Sequence, residues 1–204
     1  MKKRVLITGA AGNLGGLLAR HLLKDEMLLH LLVLCKDVSQ ELKTKDNVNV
    51  FRVDLAVRES LRDALNGVDT IVHFAGVLFK HNPEKFLKTT NTLYFKNLLD
   101  VAVQKGVKRV ILISFPHVEG ETTPDHPARG RLDGNPISMH ARTRLEEERL
   151  LFEYGERRGF EPVALRVGMV YGKGILMIDA ARWFSRHALL GVWRKPTCIH
   201  LIST

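Results

Sequence analysis

The segment Arg4-Val5-Leu6-Ile7-Thr8-Gly9-Ala10-Ala11-Gly12-Asn13-Leu14-Gly15 constrains this chain more than any other. A short run of β-forming residues meets three evenly spaced glycines, and an amphipathic stretch from Asn13 to Lys24 follows. The backbone must therefore leave a strand, turn sharply and start a helix within a few residues. Gly9 suits the tight turn, Gly12 lets a ligand approach the main chain, and Gly15 lets helix and strand pack closely. The free N–H groups and positive dipole end of the new helix then face outward, where a pyrophosphate is favoured. Thr8, Gly9, Ala11, Gly12, Asn13, Leu14 and Gly15 are accordingly expected to hold a dinucleotide.

The remaining chain repeats the alternation. Apolar or period-two runs at Leu29 to Cys35, Val48 to Val53, Asp69 to Phe74, Lys108 to Ser114 and Val163 to Val167 read as strands. Helical patterns fall at Ser60 to Leu65, Pro83 to Gln104 and Met139 to Arg158, closed by Asn66-Gly67, Gly106 and Gly159. Strands separated by helices imply right-handed crossovers and a parallel sheet covered on both faces. The expected fold is α/β, a doubly wound parallel sheet of the Rossmann type over residues 1–172. Phe115 to Pro136, rich in proline and glycine, is too long for an idle connection. After Gly174 the texture changes: Ile175 to Leu190 reads as helix, and Thr197 to Ser203 as a strand. Residues 173–204 are expected to open a substrate region that is truncated, within a longer natural protein.

Composition excludes several alternatives. With 45% hydrophobic and 26% charged residues this is an ordinary globular chain. The apolar run Met27 to Cys35 contains His30 and is far below spanning length. The apolar stretch before Gly9 is too short for a signal peptide, so a cytoplasmic protein with no membrane segment is expected. Cys35 and Cys198 are expected as buried free thiols, and no Cys/His cluster has metal-ligand spacing. The net charge of +9 suggests a nucleic-acid surface at first. However, the arginines of 142–158 are interleaved with Glu146, Glu147, Glu148, Glu153 and Glu156, which favours pairing along the helix over a single-sign stripe. A small-molecule partner is expected instead of nucleic acid.

About 20 residues beyond the last glycine, the tip of the second strand should read the adenosine ribose. It carries Cys35-Lys36-Asp37. An acidic residue there suits NAD, while Lys36 suits the 2′-phosphate of NADP. Both cofactors stay open, with Lys36 tilting the balance toward NADP.

The chain resembles the extended short-chain dehydrogenase/reductases, the NAD-dependent epimerase/dehydratase family, over nearly its whole length. The resemblance rests on the TGxxGxxG turn, on Asp54-Leu55, on His73-Phe74-Ala75-Gly76, on Asn91, and on Leu165-Arg166-Val167-Gly168-Met169-Val170-Tyr171-Gly172. It implies that Asp54 and Leu55 touch the adenine, that Phe74, Ala75, Gly76 and Asn91 pass close to the cofactor, and that Val167 flanks the nicotinamide. It also implies a homodimer through the helices bearing Asn97 and Leu145, and a sugar nucleotide or other carbonyl/hydroxyl metabolite as substrate.

The likeness fails where the family carries its Tyr-x-x-x-Lys pair. Arg144-Leu145-Glu146-Glu147-Glu148 aligns with the family's continuation, placing Arg144 at the lysine and His140 at the tyrosine. Ser114 falls near the family's catalytic hydroxyl. A phenol titrates near ~10 and needs a neighbouring cation, whereas imidazole titrates near ~6.5 unaided. His140 is therefore the candidate acid or base, Arg144 the anchor of the cofactor ribose, and Ser114 the donor to the substrate oxygen. His117, Glu119, Asp125 and His126 read as polar lid residues, Ser138 and Thr143 as further hydroxyls, and Trp183, Phe184 and Trp193 as packing. Two functions follow: an NAD(P)-dependent oxidoreductase or isomerase, or a non-catalytic NAD(P)-binding redox sensor or assembly factor.

Overall fold

The computed structural model describes residues 2–76, 82–172, 186–187 and 201–203. Strands β1 (Arg4–Thr8), β2 (Leu28–Val33), β3 (Val48–Arg52), β4 (Thr70–His73), β5 (Arg109–Ser114) and β6 (Glu161–Arg166) form one sheet in the order β3-β2-β1-β4-β5-β6. Every pairing is parallel. The order reverses between β1 and β4, and in open α/β sheets ligands bind outside the carboxyl ends of strands at such a point.

Pleating explains why these strands read as continuous apolar runs. Leu6 enters one core, while Val5 and Ile7 enter the other on the opposite face. Phe95, Leu98, Leu99 and Ala102 of α4 (Tyr94–Gln104) fill the first face; Ala19 of α1 (Asn13–Leu22) packs on the second. His30 is tolerated inside β2 because its Nδ1 lies 2.6 Å from the Ala64 carbonyl and its ring rests against Phe51.

Several boundaries move for local reasons. β2 ends at Val33, where Arg52 from β3 donates to the Leu34 carbonyl at 2.7 Å. The helix expected at Ser60 to Leu65 contracts to α3 (Arg58–Leu61), beyond α2 (Gln40–Lys43). The expected helix Pro83 to Gln104 divides into a 3-10 turn (Pro83–Lys85), a π-helical turn (Lys88–Leu93) and α4. The Thr90 hydroxyl donates at 3.1 Å to the Phe86 carbonyl that also accepts the Thr90 N–H, a back-bond that competes with the regular ladder. Helix α5 (Met139–Arg158) has the bounds read from the sequence, capped by Ser138 and ended by Gly159 at φ +78°.

A separate pair, β7 (Met169–Tyr171) and β8 (Leu201–Ser203), runs parallel. The strand read at Thr197 to Ser203 is present over its last three residues. The helix read at Ile175 to Leu190, with Trp183 and Phe184, lies outside the described residues save for 186–187, as do Trp193 and Cys198. Cys35, expected buried, is instead an exposed free thiol, because β2 ends at Val33 and the chain leaves the sheet before it. Among the described residues no helix is long and apolar enough to cross a membrane.

Candidate active site

The glycine turn closes over β1 with little room to spare. Gly9 sits at φ +67°, and a Cβ there would meet the Ala75 nitrogen at 3.0 Å. A Cβ on Gly15 would lie 2.5 Å from the Gly9 carbonyl oxygen, so α1 approaches the turn only because residue 15 has no side chain. Gly12 is the N-cap of α1, with no side-chain cap and no acidic residue in the first turn. The positive end of α1 is therefore open to an anion. Thr8 is buried beneath this turn; its Oγ1 accepts from the Ala75 N–H at 3.1 Å and lies 2.8 Å from His73 Nδ1. That pair ties the end of β1 to the end of β4. Ala11, Leu14, Phe74 and Ala75 are half-buried around it, while Gly12, Asn13 and Gly76 are exposed.

The start of α5 brings the expected catalytic side chains to the same end of the sheet. His140 is half-buried, with its ring edge-on to Phe115 at 4.9 Å and its Nδ1 buried without a hydrogen-bond partner. Burial first, and then the Arg144 charge, holds its pKa down at about 4, so the ring is neutral near neutral pH. Arg144 is buried, donates to Glu147 at 2.8 Å, and extends its Nη2 into the place where a Gly76 Cβ would stand. Asn91, on the π-helical turn, donates to Thr143 Oγ1 at 3.1 Å, so this hydroxyl serves the helix contact. Ser138 acts as the N-cap of α5.

Ser114 is engaged differently. It is buried at the end of β5 and lies 2.5 Å from Glu148 Oε1, the carboxylate acting as acceptor. Glu148 in turn receives Arg166 in bidentate fashion, at 2.7 Å for Nη2 and 3.1 Å for Nε. Arg166 Nη1 pairs with Glu119. The Glu119 carboxylate also accepts the N–H groups of Arg129, Gly130 and Arg131, at 3.1, 2.7 and 3.1 Å. Of the expected lid residues, Glu119 is thus an internal clasp, while His117, Asp125 and His126 are exposed. Arg142 and Arg149 of α5 donate to the carbonyls of Pro136 and Leu132, at 3.0 and 2.8 Å. The long loop is fastened to the sheet edge and to α5 rather than left slack.

In the sequence Glu147 and Glu148 figure only among the charges interleaved with the arginines of α5, and the structure buries both. Their signal is their register: Thr143, Arg144, Glu147, Glu148, Leu151 and Gly155 recur at helical spacing on the buried face of α5. At the other side of the turn, Lys36 is exposed, and the Asp37 carboxylate is occupied by Lys43 at 2.6 Å, with Arg52 at 3.7 Å. Asp54 and Leu55 are half-buried; an Asp54 oxygen caps the Ala56 N–H at 2.9 Å. Val167 is half-buried just past β6, its N–H donating to the Ser114 carbonyl. Asn97 and Leu145 are buried within the chain itself.

These environments predict an acid-labile fold. Burial holds His73 at about 3, against 6.5 ordinarily, so the native ring stays neutral where the unfolded chain protonates. Stability from this source falls as pH drops from about 6.5 toward 3, and His140 acts in the same sense down to about 4. Glu147, pushed up by burial to about 7 from 4.5, acts oppositely and gains stability as pH falls through that interval. Below 4.5 its gain is complete, and Glu119 begins to lose its ion pairs on the way to about 2. Unfolding free energies from urea titrations should therefore fall by roughly 1.4 kcal/mol from pH 6 to 5, about one net proton, and more steeply per pH unit below 4.5. A midpoint flat from pH 6 to 4 would show that these rings are charged in the native state.

The model of the NAD dependent epimerase/dehydratase family matches residues 5–193. A uronate dehydrogenase of Pseudomonas putida is 31% identical over 183 residues, covering 89% of this chain and 66% of the relative. A trifunctional UDP-glucose 4,6-dehydratase/UDP-4-keto-6-deoxy-D-glucose 3,5-epimerase/UDP-4-keto-L-rhamnose-reductase of Arabidopsis thaliana is 30% identical, covering 97% of this chain and 32% of the relative. Among solved structures, the UDP-glucose 4-epimerase of Thermus thermophilus complexed with NAD superposes with a TM-score of 0.72 at 28% identity, over 83% of this chain and 56% of the epimerase. The chain thus spans between about a third and two thirds of the relatives it matches. The match of the family model along nearly the whole chain agrees with the strand order and the glycine turn: this protein belongs to the NAD-dependent epimerase/dehydratase family.

Proposed function

We propose that this protein is an NAD(P)-dependent oxidoreductase or isomerase of the epimerase/dehydratase type, acting on a sugar nucleotide or another carbonyl/hydroxyl metabolite. The observation that carries this reading is the uncapped N-terminus of α1, opening between β1 and β4 after a turn that closes tightly because Gly9, Gly12 and Gly15 carry no Cβ. A helix N-terminus presented in this way fits a pyrophosphate. In this reading Thr8, Gly9, Ala11, Gly12, Asn13, Leu14 and Gly15 hold the pyrophosphate side, Asp54 and Leu55 the adenine, and Phe74, Ala75, Gly76, Asn91 and Val167 line the path to the nicotinamide. The bound cofactor supplies a hydride acceptor or donor. The neutral His140 ring takes or returns the proton of the substrate oxygen, and Arg144 holds the cofactor ribose as a permanent cation. Relatives named for UDP-glucose and uronate chemistry support the substrate class. Residues 173–204 belong to the substrate region, and a homodimer through α4 and α5 is part of the same reading.

Lys36 supports NADP over NAD, because it is exposed at the strand tip while Asp37 is engaged by Lys43. Titration with NADPH and NADH is expected to show binding to the wild-type chain, stronger for NADPH, and none to Gly12→Asp. A folded wild-type chain that binds neither overturns the proposal. His140→Ala should leave cofactor affinity within about threefold and lower turnover by ~10²–10⁴-fold. Unchanged turnover would remove His140 from the chemistry.

One observation favours a second reading, a non-catalytic NAD(P)-binding sensor or assembly factor. The Ser114 hydroxyl is engaged by Glu148 rather than aimed at a substrate oxygen. If His140→Ala and wild type are equally inert across sugar nucleotides while both bind cofactor, this second reading holds.

A further inference from the structure

Arg144 and Glu147 face each other across less than one turn of α5, with side chains 6% and 0% exposed. A carboxylate carried wholly out of water is costly unless its oxygens are satisfied. Here only Oε2 is, by Arg144 Nη1 at 2.8 Å; Oε1 is buried with no hydrogen-bond partner. Of the other buried positions on this helix, Ala141, Leu145 and Leu151 are apolar, and the buried polar groups Thr143 and Glu148 have hydrogen-bond partners, Glu148 on both oxygens. An apolar residue at 147 would satisfy the core better, so packing alone does not explain a carboxylate there.

The other end of Arg144 shows what the carboxylate achieves. Nη2 lies over the Gly76 backbone, in the place a Cβ would take, and Gly76 itself is exposed. The guanidinium therefore bridges the interior of α5 and the open carboxyl end of β4. An arginine stem is long and rotamer-rich, and without an anchor its head would leave for water. Glu147 holds one nitrogen inside, which fixes the position of the other.

We propose that Glu147 is a positioning residue, holding the Arg144 guanidinium over Gly76 so that it meets the ribose on the nicotinamide side of the bound cofactor. This rests on the cofactor reading above. It also accounts for how an arginine stands where the family resemblance places a lysine: the longer side chain is drawn back and clamped by a carboxylate on the next turn.

The test is a set of cofactor dissociation constants, read from the fluorescence of the reduced cofactor, with a thermal melt to establish folding of each variant. Glu147→Gln keeps an oxygen to accept from Nη1 and should bind within about threefold of wild type. Glu147→Leu should bind at least tenfold more weakly, and Arg144→Met comparably so. The double variant should be no weaker than Arg144→Met alone, because Glu147 acts only through Arg144. Folded Glu147→Leu binding like wild type overturns the proposal, as does a loss that adds to that of Arg144→Met. Should the leucine variant not fold, Glu147→Asp shortens the anchor while keeping its charge: a tenfold loss supports the proposal and wild-type affinity overturns it. Wild type failing to bind either cofactor would instead sink the cofactor reading itself.

Discussion

Arg166→Met is expected to lower the stability of this domain by about 3–5 kcal/mol, the cost of removing one partner from a buried ion pair. Arg166 bridges Glu119 and Glu148, whose side chains are 2% and 1% exposed. Methionine fills much of the same volume, so the loss reports the stranded carboxylates rather than a cavity. For a domain of this size it corresponds to a melting temperature lower by roughly 10 °C. The exposed pair Arg109–Glu161, at 48% and 56%, provides the internal comparison. Arg109→Met should cost less than about 1 kcal/mol, since solvent screens both partners. The Arg166→Met penalty should shrink with Glu148→Gln added, because one of the two stranded charges is then absent. Because Arg166 also donates to the Arg131 carbonyl, limited proteolysis should cut the loop 120–135 faster in the variant. A loss below ~1 kcal/mol would mean that water reaches the network and screens it.

The second large effect is at Gly15. Alanine is the better helix former by about 1 kcal/mol, so propensity alone predicts that Gly15→Ala stabilises α1. The geometry opposes this, because the new Cβ would stand 2.5 Å from the Gly9 carbonyl oxygen and 3.2 Å from the Ala10 Cα. Both obstacles are backbone in the turn itself, and neither can swing aside. The helix must shift, at ~1–3 kcal/mol for overpacking, and the shift moves the amides proposed to face the cofactor. Gly15→Ala should therefore lose both stability and most cofactor affinity. Gly16→Ala, one residue on, meets its nearest backbone atom at 3.3 Å and should stay within about 1 kcal/mol of wild type with affinity preserved. Parallel urea titrations and cofactor titrations check the pair, and equal behaviour of the two variants would refute the packing argument.

The contrast between Gly15 and Gly16 shows where sequence reasoning ends. Strand and helix periods are local, repeated signals, and the glycine turn announces itself by spacing. The alternation was therefore enough to specify the parallel doubly wound sheet, down to both ends of α5 from Ser138 and Gly159. The π-helical turn at Lys88–Leu93 was not legible, because it depends on Thr90 bonding back to Phe86 while Asn91 is drawn to Thr143 from a helix fifty residues away.

The polar interior was hidden for the same reason. A run of three glutamates among arginines carries no mark of burial, and only the packing of α5 on β5 and β6 buries Glu147 and Glu148 while Glu146 stays at the edge, bonded to Thr92. Ser114 likewise reads as a free hydroxyl until β6 brings Arg166, and with it the orientation of Glu148, to its side. Hydrophobic pattern and backbone permissiveness are properties of neighbouring residues, so the fold and the position of the glycine turn could be read along the chain. The partner of each buried charge is set by contacts across the sheet, so which carboxylate holds which arginine emerges only when the elements pack.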